Sequence, residues 1–184
     1  MIPIMLDAAR LRVGLAGRGA LAVRRLEWFR RLGAAPELFS DAPGGELIAV
    51  AGDMLIPRLP DAGDLAALDL LWIADIDPGA AADLYGLARA AKTLVNVEDD
   101  LPLCDFHTPS VVTRGALVIA AGTGGGSPAL AAIVRERLEE AFPVAWGPAL
   151  DDIAAARRQM RSAGAAPAEI AADARRRLAE TKLI

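Results

Sequence analysis

The stretch RVGLAGRGALA, Arg12 to Ala22, constrains this chain most. Arg12 to Gly17 reads as a short apolar strand. It breaks at Gly17 and Gly19 into a pattern where Leu21, Trp28, Phe29 and Leu32 recur at helical spacing, and Gly33 ends that helix. Gly17 permits a tight turn, Gly19 close backbone approach, and Ala22 close packing of helix on strand. A helix start of this kind presents free N–H groups and the positive end of a dipole. Gly17-x-Gly19-x-x-Ala22 therefore suits a dinucleotide pyrophosphate, and equally a strand–helix joint that merely needs small residues. The acid expected about 20 residues on has two candidates, Glu37 and Asp41.

The rest of the first half repeats the alternation. PELFSD is predicted as a second strand. GELIAVAGDMLIPRLP, broken by Gly52 and Pro57, is predicted as a loop with a short helix or strand piece. Leu68 to Ala74 forms a buried-type strand, DPGAAADLYGLARAAK a helix with Pro78 near its first turn, and TLVNV another strand. Strands alternating with helices imply an α/β fold, a parallel sheet with helices on both faces. After residue 105 the texture changes. TPSVVTRGALVIAAG reads as two strands joined at Arg114-Gly115. SPALAAIVRERLEEAF reads as an amphipathic helix with Ser127 as N-cap and Pro128 at its first position. Pro143, Gly147 and Pro148 mark a boundary. PALDDIAAARRQMRSAG and PAEIAADARRRLAETKLI follow as two helices, the last with acids early and RRR with Lys182 late, as the macrodipole favours.

Composition narrows the function classes. Apolar residues make up 54%, enough for a real core, and 20 Lys and Arg against 24 Asp and Glu leave a net charge of −4. A nucleic-acid partner would call for a basic surplus or stripe, and none is present. The single Cys104 excludes an internal disulfide and a Cys-rich metal site, which fits a reducing cytosol. The first residues meet Asp7 and Arg10 too early for a signal peptide. An uncharged run from Gly115 to Val134 reaches membrane length, but GTGGGSP in its middle has no place in lipid. A soluble, cytoplasmic protein with no membrane partner is expected. GTGGGSP also lacks the lysine of a P-loop, so it is expected to be a tight strand-to-helix turn.

The stretch NVEDDLPLCDFHTPSVVTRGALVIAAGTGGGSPALAAIVRERLE resembles the N-terminal module of siroheme synthases, the precorrin-2 dehydrogenase / sirohydrochlorin ferrochelatase family in its stand-alone form. The shared features are Asn-Val-x-Asp, Asp-Phe a few residues on, Pro-Ser before a strand, a Gly-rich turn ending in Ser-Pro-x-Leu-Ala, and an Arg-x-x-Leu helix. The Gly17/Gly19/Ala22 turn, followed by Arg24, stands where that family has its nucleotide loop. The likeness covers about residues 10 to 150 in one order throughout. It implies a Rossmann NAD-binding domain over 1–108, a strand-helix segment over 109–146 that makes a homodimer, and a helical region over 147–184 that helps cover a tetrapyrrole cleft. The implied reaction is NAD-dependent oxidation of precorrin-2 to sirohydrochlorin, after which many members insert ferrous iron, as substrate, to give siroheme.

The resemblance also implies site residues. Asp99 would be the base for oxidation and for metal insertion, against the competing reading of EDD as a solvated acidic turn, with Glu98 and Asp100 as like-charged neighbours. NAD would be held by Gly17, Arg18, Gly19, Ala20, Leu21, Phe39 and Ser40. The tetrapyrrole would be held by Asn96, Thr123, Gly124, Ser127 and Arg114, with Ser127 alternatively only capping its helix. Arg135 and Arg137 are further carboxylate partners or ordinary helix-surface charges. No resident metal site is expected. His107, the lone histidine, is expected to be structural, and Cys104 a small buried apolar residue. Two features depart from the family: Arg18 replaces a loop glycine, and Asp75 follows the LLWIA strand where small residues and Thr are usual. Asp75 is expected to crowd or repel a dinucleotide. Pro102 is also shifted. Two alternatives therefore stand beside the dehydrogenase: a chelatase or tetrapyrrole-binding relative with weakened NAD use, and a non-enzymatic dimeric Rossmann module.

Overall fold

The computed structural model describes residues 1–181 and 183–184; Lys182, expected at the basic end of the last helix, lies outside the described residues. The chain divides into two compact units, Met1–His107 and Thr108–Ile184.

The first unit is a five-stranded sheet with every pairing parallel, in the order β3-β2-β1-β4-β5. The strands are β1 (Val13–Gly17), β2 (Glu37–Phe39), β3 (Leu55–Ile56), β4 (Leu70–Ala74) and β5 (Leu94–Val97). Helices α1 (Ala20–Arg31), α2 (Gly45–Ala51), α3 (Ala62–Ala67) and α4 (Pro78–Ala90) connect them. Strand residues alternate between two cores. Val13 and Leu15 of β1, with Leu70, Trp72 and Ala74 of β4, pack against α1 and α2. Ala16 of β1, with Leu71 and Ile73 of β4, packs against α3 and α4. That two-residue alternation, apolar on both faces, produces a sheet covered on both sides, the Rossmann-type arrangement expected. The crossover reverses between β1 and β4, so their carboxyl ends form the crevice where such sheets bind ligands.

Some boundaries differ from expectation. β4 starts at Leu70, because Leu68 is the C-cap of α3. The short α3 was not anticipated, although Asp61 and Asp64 build a reciprocal capping box at its start. The buried face of α1 is Ala22, Val23, Leu26 and Phe29; Leu32 is the exposed C-cap. Trp28, Phe29, Trp72 and Phe106 form a chain of edge and tilted ring contacts on the α1 side.

The second unit begins with an antiparallel hairpin, β6 (Ser110–Arg114) and β7 (Leu117–Ala121). Helices α5 (Pro128–Ala141), α6 (Trp146–Ser162) and α7 (Pro167–Glu180) follow. The expected break at Gly147-Pro148 is instead inside the first turn of α6, where a proline costs nothing because its missing N–H would have no helical partner. The core is thin. Val112, Ala149 and Ala156 are its buried apolar residues among those described, and α5 buries none of its residues. No helix among the described residues is long and apolar enough to cross a membrane.

Candidate functional site

The joint after β1 is tight for a steric reason. A Cβ on Gly17 would stand 2.5 Å from Ala22 Cβ and 2.7 Å from the Ala74 carbonyl oxygen, so glycine there lets β1, β4 and α1 converge. Gly19 is the N-cap of α1 and supplies no side-chain cap, which leaves the first amides of the helix to other acceptors.

One such acceptor is Asp75. Gly17 pairs with Ala74 across the sheet, so the next residue of the β4 turn reaches the start of α1. Leu21 N–H donates to Asp75 Oδ2 at 2.6 Å and Ala22 N–H at 3.3 Å. The carboxylate also fills the space above Gly19, where a Cβ would lie 2.8 Å from Oδ2. The backbone of Asp75 is left-handed, with φ 54°. Asp75 is therefore a bound anion at a helix N-terminus. The expected cost of an unpaired carboxylate does not arise.

Arg18 turns aside from the loop. It makes a bidentate pair with Asp41, with Nε and Nη2 each at 2.8 Å, and a third bond to Asp77 at 3.2 Å. Asp41 is held below the usual carboxylate range chiefly by its hydrogen bonds from Arg18. Asp77 is lowered by the Ala80 N–H that it caps and then by Arg18, and the Arg18 guanidinium is raised by the two aspartates. The two acid candidates lie at opposite ends of β2. Glu37 opens β2 at the far end of the strand and pairs with Arg12, whereas Asp41 follows the carboxyl end of β2, the end that faces a bound ligand. Phe39 and Ser40 lie at that same end. Phe39 is fully buried, and Ser40 Oγ is buried with no hydrogen-bond partner in the structure. An orphan hydroxyl beside a glycine cradle is what a polar cofactor group would satisfy.

The β5 turn differs. Glu98, expected as a repulsive neighbour of Asp99, is tied to α1 by Arg25, whose Nε donates at 2.6 Å, and both side chains are mostly buried. Arg25 also stacks over Trp28 at 4.9 Å. Asp99 is exposed, its backbone is left-handed with φ 64°, and its carboxylate has no hydrogen-bond or ion-pair partner among the described residues. Leu21, Arg24, Arg25, Glu27, Trp28 and Arg31 of α1 line a groove with Glu98, the residue before Asp99.

Several expected ligands have internal partners in the structure. Asn96 is buried, and its amide donates to the Phe106 carbonyl at 2.8 Å and to Cys104 Sγ. It is a positioning residue for the loop after β5. Cys104 is half-buried rather than buried; its thiol donates to the Val97 and Asp100 carbonyls, and burial pushes it above its ordinary value. Arg114 caps the carboxyl end of α5, donating to the Phe142 carbonyl at 2.6 Å and the Glu139 carbonyl at 3.3 Å. Ser127 Oγ accepts from Leu130 N–H as the α5 cap, and Thr123 closes the same turn by bonding Ser127 N–H and C=O. Gly124 and Gly125 supply its left-handed backbone. Arg135 and Arg137 pair with Glu139 and Glu140 along α5. His107 is half-buried and makes no hydrogen bond or ion pair among the described residues. No group of three His, Cys, Asp or Glu side chains among them could hold a metal.

A family model described as "Putative NAD(P)-binding" matches residues 4–110, more than half of the chain. The chain belongs to this NAD(P)-binding family. Siroheme synthase 1 of Cronobacter sakazakii is 31% identical over 149 residues, 79% of this chain and 32% of that relative. The siroheme synthase of Pseudoalteromonas atlantica is 32% identical over 144 residues, 77% of this chain and 31% of the relative. That of Thiobacillus denitrificans is 33% identical over 154 residues, covering 79% and 31%. The chain thus spans about a third of the length of these curated relatives. A solved structure, SirC, precorrin-2 dehydrogenase, superposes with a TM-score of 0.77 at 20% identity, covering 100% of this chain and 95% of that one, a likeness of fold. NAD(P) use follows for the family, and the Gly17–Gly19 cradle with Ser40 fits it, provided that Asp75 yields the α1 amides.

Proposed function

We propose that the chain is a precorrin-2 dehydrogenase, oxidising precorrin-2 to sirohydrochlorin with NAD in siroheme biosynthesis. The observation that carries this is the shared edge of β1, β4 and β5. The glycine cradle follows β1, and the free carboxylate of Asp99 follows β5, two strands away in the same sheet. The likeness to siroheme synthases supports the substrate class.

When bound, NAD accepts a hydride from the macrocycle. The matching proton needs an unencumbered base, and Asp99 is the exposed carboxylate of the EDD turn, without a hydrogen-bond or ion-pair partner among the described residues, whereas Glu98 is engaged by Arg25. Gly17, Gly19, Ala20 and Leu21 offer backbone to the dinucleotide, and Ser40 offers its orphan hydroxyl. Asp41 stands where a ribose hydroxyl would be read, and Arg18 is the cation that orients it. The substrate's carboxylates are met by Arg24 and Arg31 of the groove, which have no ion-pair partner among the described residues, in place of Arg114, Arg135 and Arg137. The thin core of the second unit, with Leu130 and Ile133 half-exposed on α5, is covered by a second copy in a homodimer.

A second reading, a sirohydrochlorin ferrochelatase with weakened NAD use, draws on Asp75 at the α1 amides. Ferrous iron would then be substrate, with Asp99 taking pyrrole protons. Anaerobic incubation with precorrin-2 and NAD⁺, followed by absorbance, tests the first reading. Appearance of sirohydrochlorin with stoichiometric NADH supports it. Absence of oxidation alongside iron-dependent conversion of sirohydrochlorin replaces it with the second.

A further inference from the structure

We propose that Asp75 is an internal competitor for the dinucleotide site and sets the affinity of this chain for NAD(P); this rests on the NAD(P)-binding reading of the β1–α1 joint. Its carboxylate takes two of the α1 N-terminal amides, Leu21 N–H at 2.6 Å and Ala22 N–H at 3.3 Å. It also stands in the space that Gly19 keeps open, 2.8 Å from a Cβ built there. These are the donors and the volume that a pyrophosphate at this joint requires. A carboxylate and a pyrophosphate cannot share them, for steric reasons and because like charges repel at such distances.

The arrangement is built rather than incidental. Asp75 follows Ala74, the register partner of Gly17, and a left-handed φ of 54° directs its side chain back over the loop. Aspartate tolerates that conformation better than most residues. Arg18, the nearby cation, does not counter it, because its guanidinium is committed to Asp41 and Asp77. Meanwhile the hydroxyl of Ser40, buried at the end of β2, is left without a partner. The joint therefore satisfies its helix amides with the chain's own carboxylate and leaves its other polar contact unmet. Dinucleotide binding exchanges Asp75 for phosphate oxygens, and the affinity measured is the difference between the two.

The test is titration of the purified chain with NAD⁺ and NADP⁺ by tryptophan fluorescence and calorimetry, for the wild type, Asp75→Gly and Asp75→Asn. Glycine fits the left-handed backbone and removes the competitor; asparagine keeps the backbone and one acceptor but removes the charge. Kd for Asp75→Gly is expected to fall about tenfold or more, the scale of a lost charge-assisted contact, with Asp75→Asn between it and the wild type. Saturable wild-type binding that neither variant, folded by circular dichroism, tightens overturns the competitor and leaves the cofactor reading in place. No binding by any of the three proteins overturns both. Binding by the variants and not by the wild type supports the competitor in its strongest form.

Discussion

Two turns on one edge of the sheet carry an aspartate in left-handed backbone, and the two carboxylates have opposite fates. Asp75, after β4, is bound by the amides of α1; the carboxylate of Asp99, after β5, has no hydrogen-bond or ion-pair partner among the described residues. The difference arises from their neighbours. The register pairing of Gly17 with Ala74 brings the β4 turn against a helix start whose N-cap glycine has no side chain to offer. The β5 turn has its own helix-side tie in Arg25, which takes Glu98 and leaves Asp99 outward. A carboxylate satisfied by backbone serves as a plug, and one left free at a ligand-binding edge is available as a base.

The sharpest way to break this comparison is to neutralise the free member. Asp99→Asn is expected to lower precorrin-2 turnover by about 10²–10⁴-fold while NAD⁺ affinity stays unchanged; a loss of affinity with turnover preserved would place Asp99 among structural residues. The frame shared by both turns is next. Gly17→Val drives a side chain into Ala22 and the Ala74 carbonyl, and a loss of about 1–3 kcal/mol or more is expected in denaturant unfolding. Untying the β5 turn comes third. Arg25→Ala strands a mostly buried Glu98 and is expected to cost about 1–3 kcal/mol, which Arg25→Ala/Glu98→Gln largely recovers.

The smallest effect is a control away from both turns. The Arg58 guanidinium, hydrogen-bonded to Asp64, lowers that carboxyl to about 2. A carboxylate lowered on folding adds stability that is fully present above its unfolded value and is lost as pH falls through the folded one. Unfolding free energy should therefore fall between about pH 4 and pH 2, and Asp64→Asn should flatten that limb without altering NAD⁺ binding.

Local patterns made much of this legible in advance. The alternating apolar strands, the β1–α1 glycines, the Ser127 cap and the hairpin at Arg114-Gly115 all rest on neighbours in sequence, and all appear in the fold. The partners that decide the site are remote. Asp75 and Leu21 lie 54 residues apart, Glu98 and Arg25 73 apart, and Arg114 and Phe142 28 apart. No periodicity records such pairs, so neither the α1 amides that hold Asp75 nor the α5 carbonyls that Arg114 caps could be read from the sequence. The short α3 could have been found from Asp61-x-x-Asp64, a capping-box spacing.

The central claim is that the sheet edge joining the Gly17–Gly19 cradle to Asp99 oxidises a tetrapyrrole. Anaerobic precorrin-2 oxidation, followed in parallel by sirohydrochlorin absorbance and NADH fluorescence, tests it most directly. Equal, saturable formation of both products by the wild type, nearly abolished in Asp99→Asn, is the expected result. NADH-free or equally fast reactions in the two proteins would contradict it.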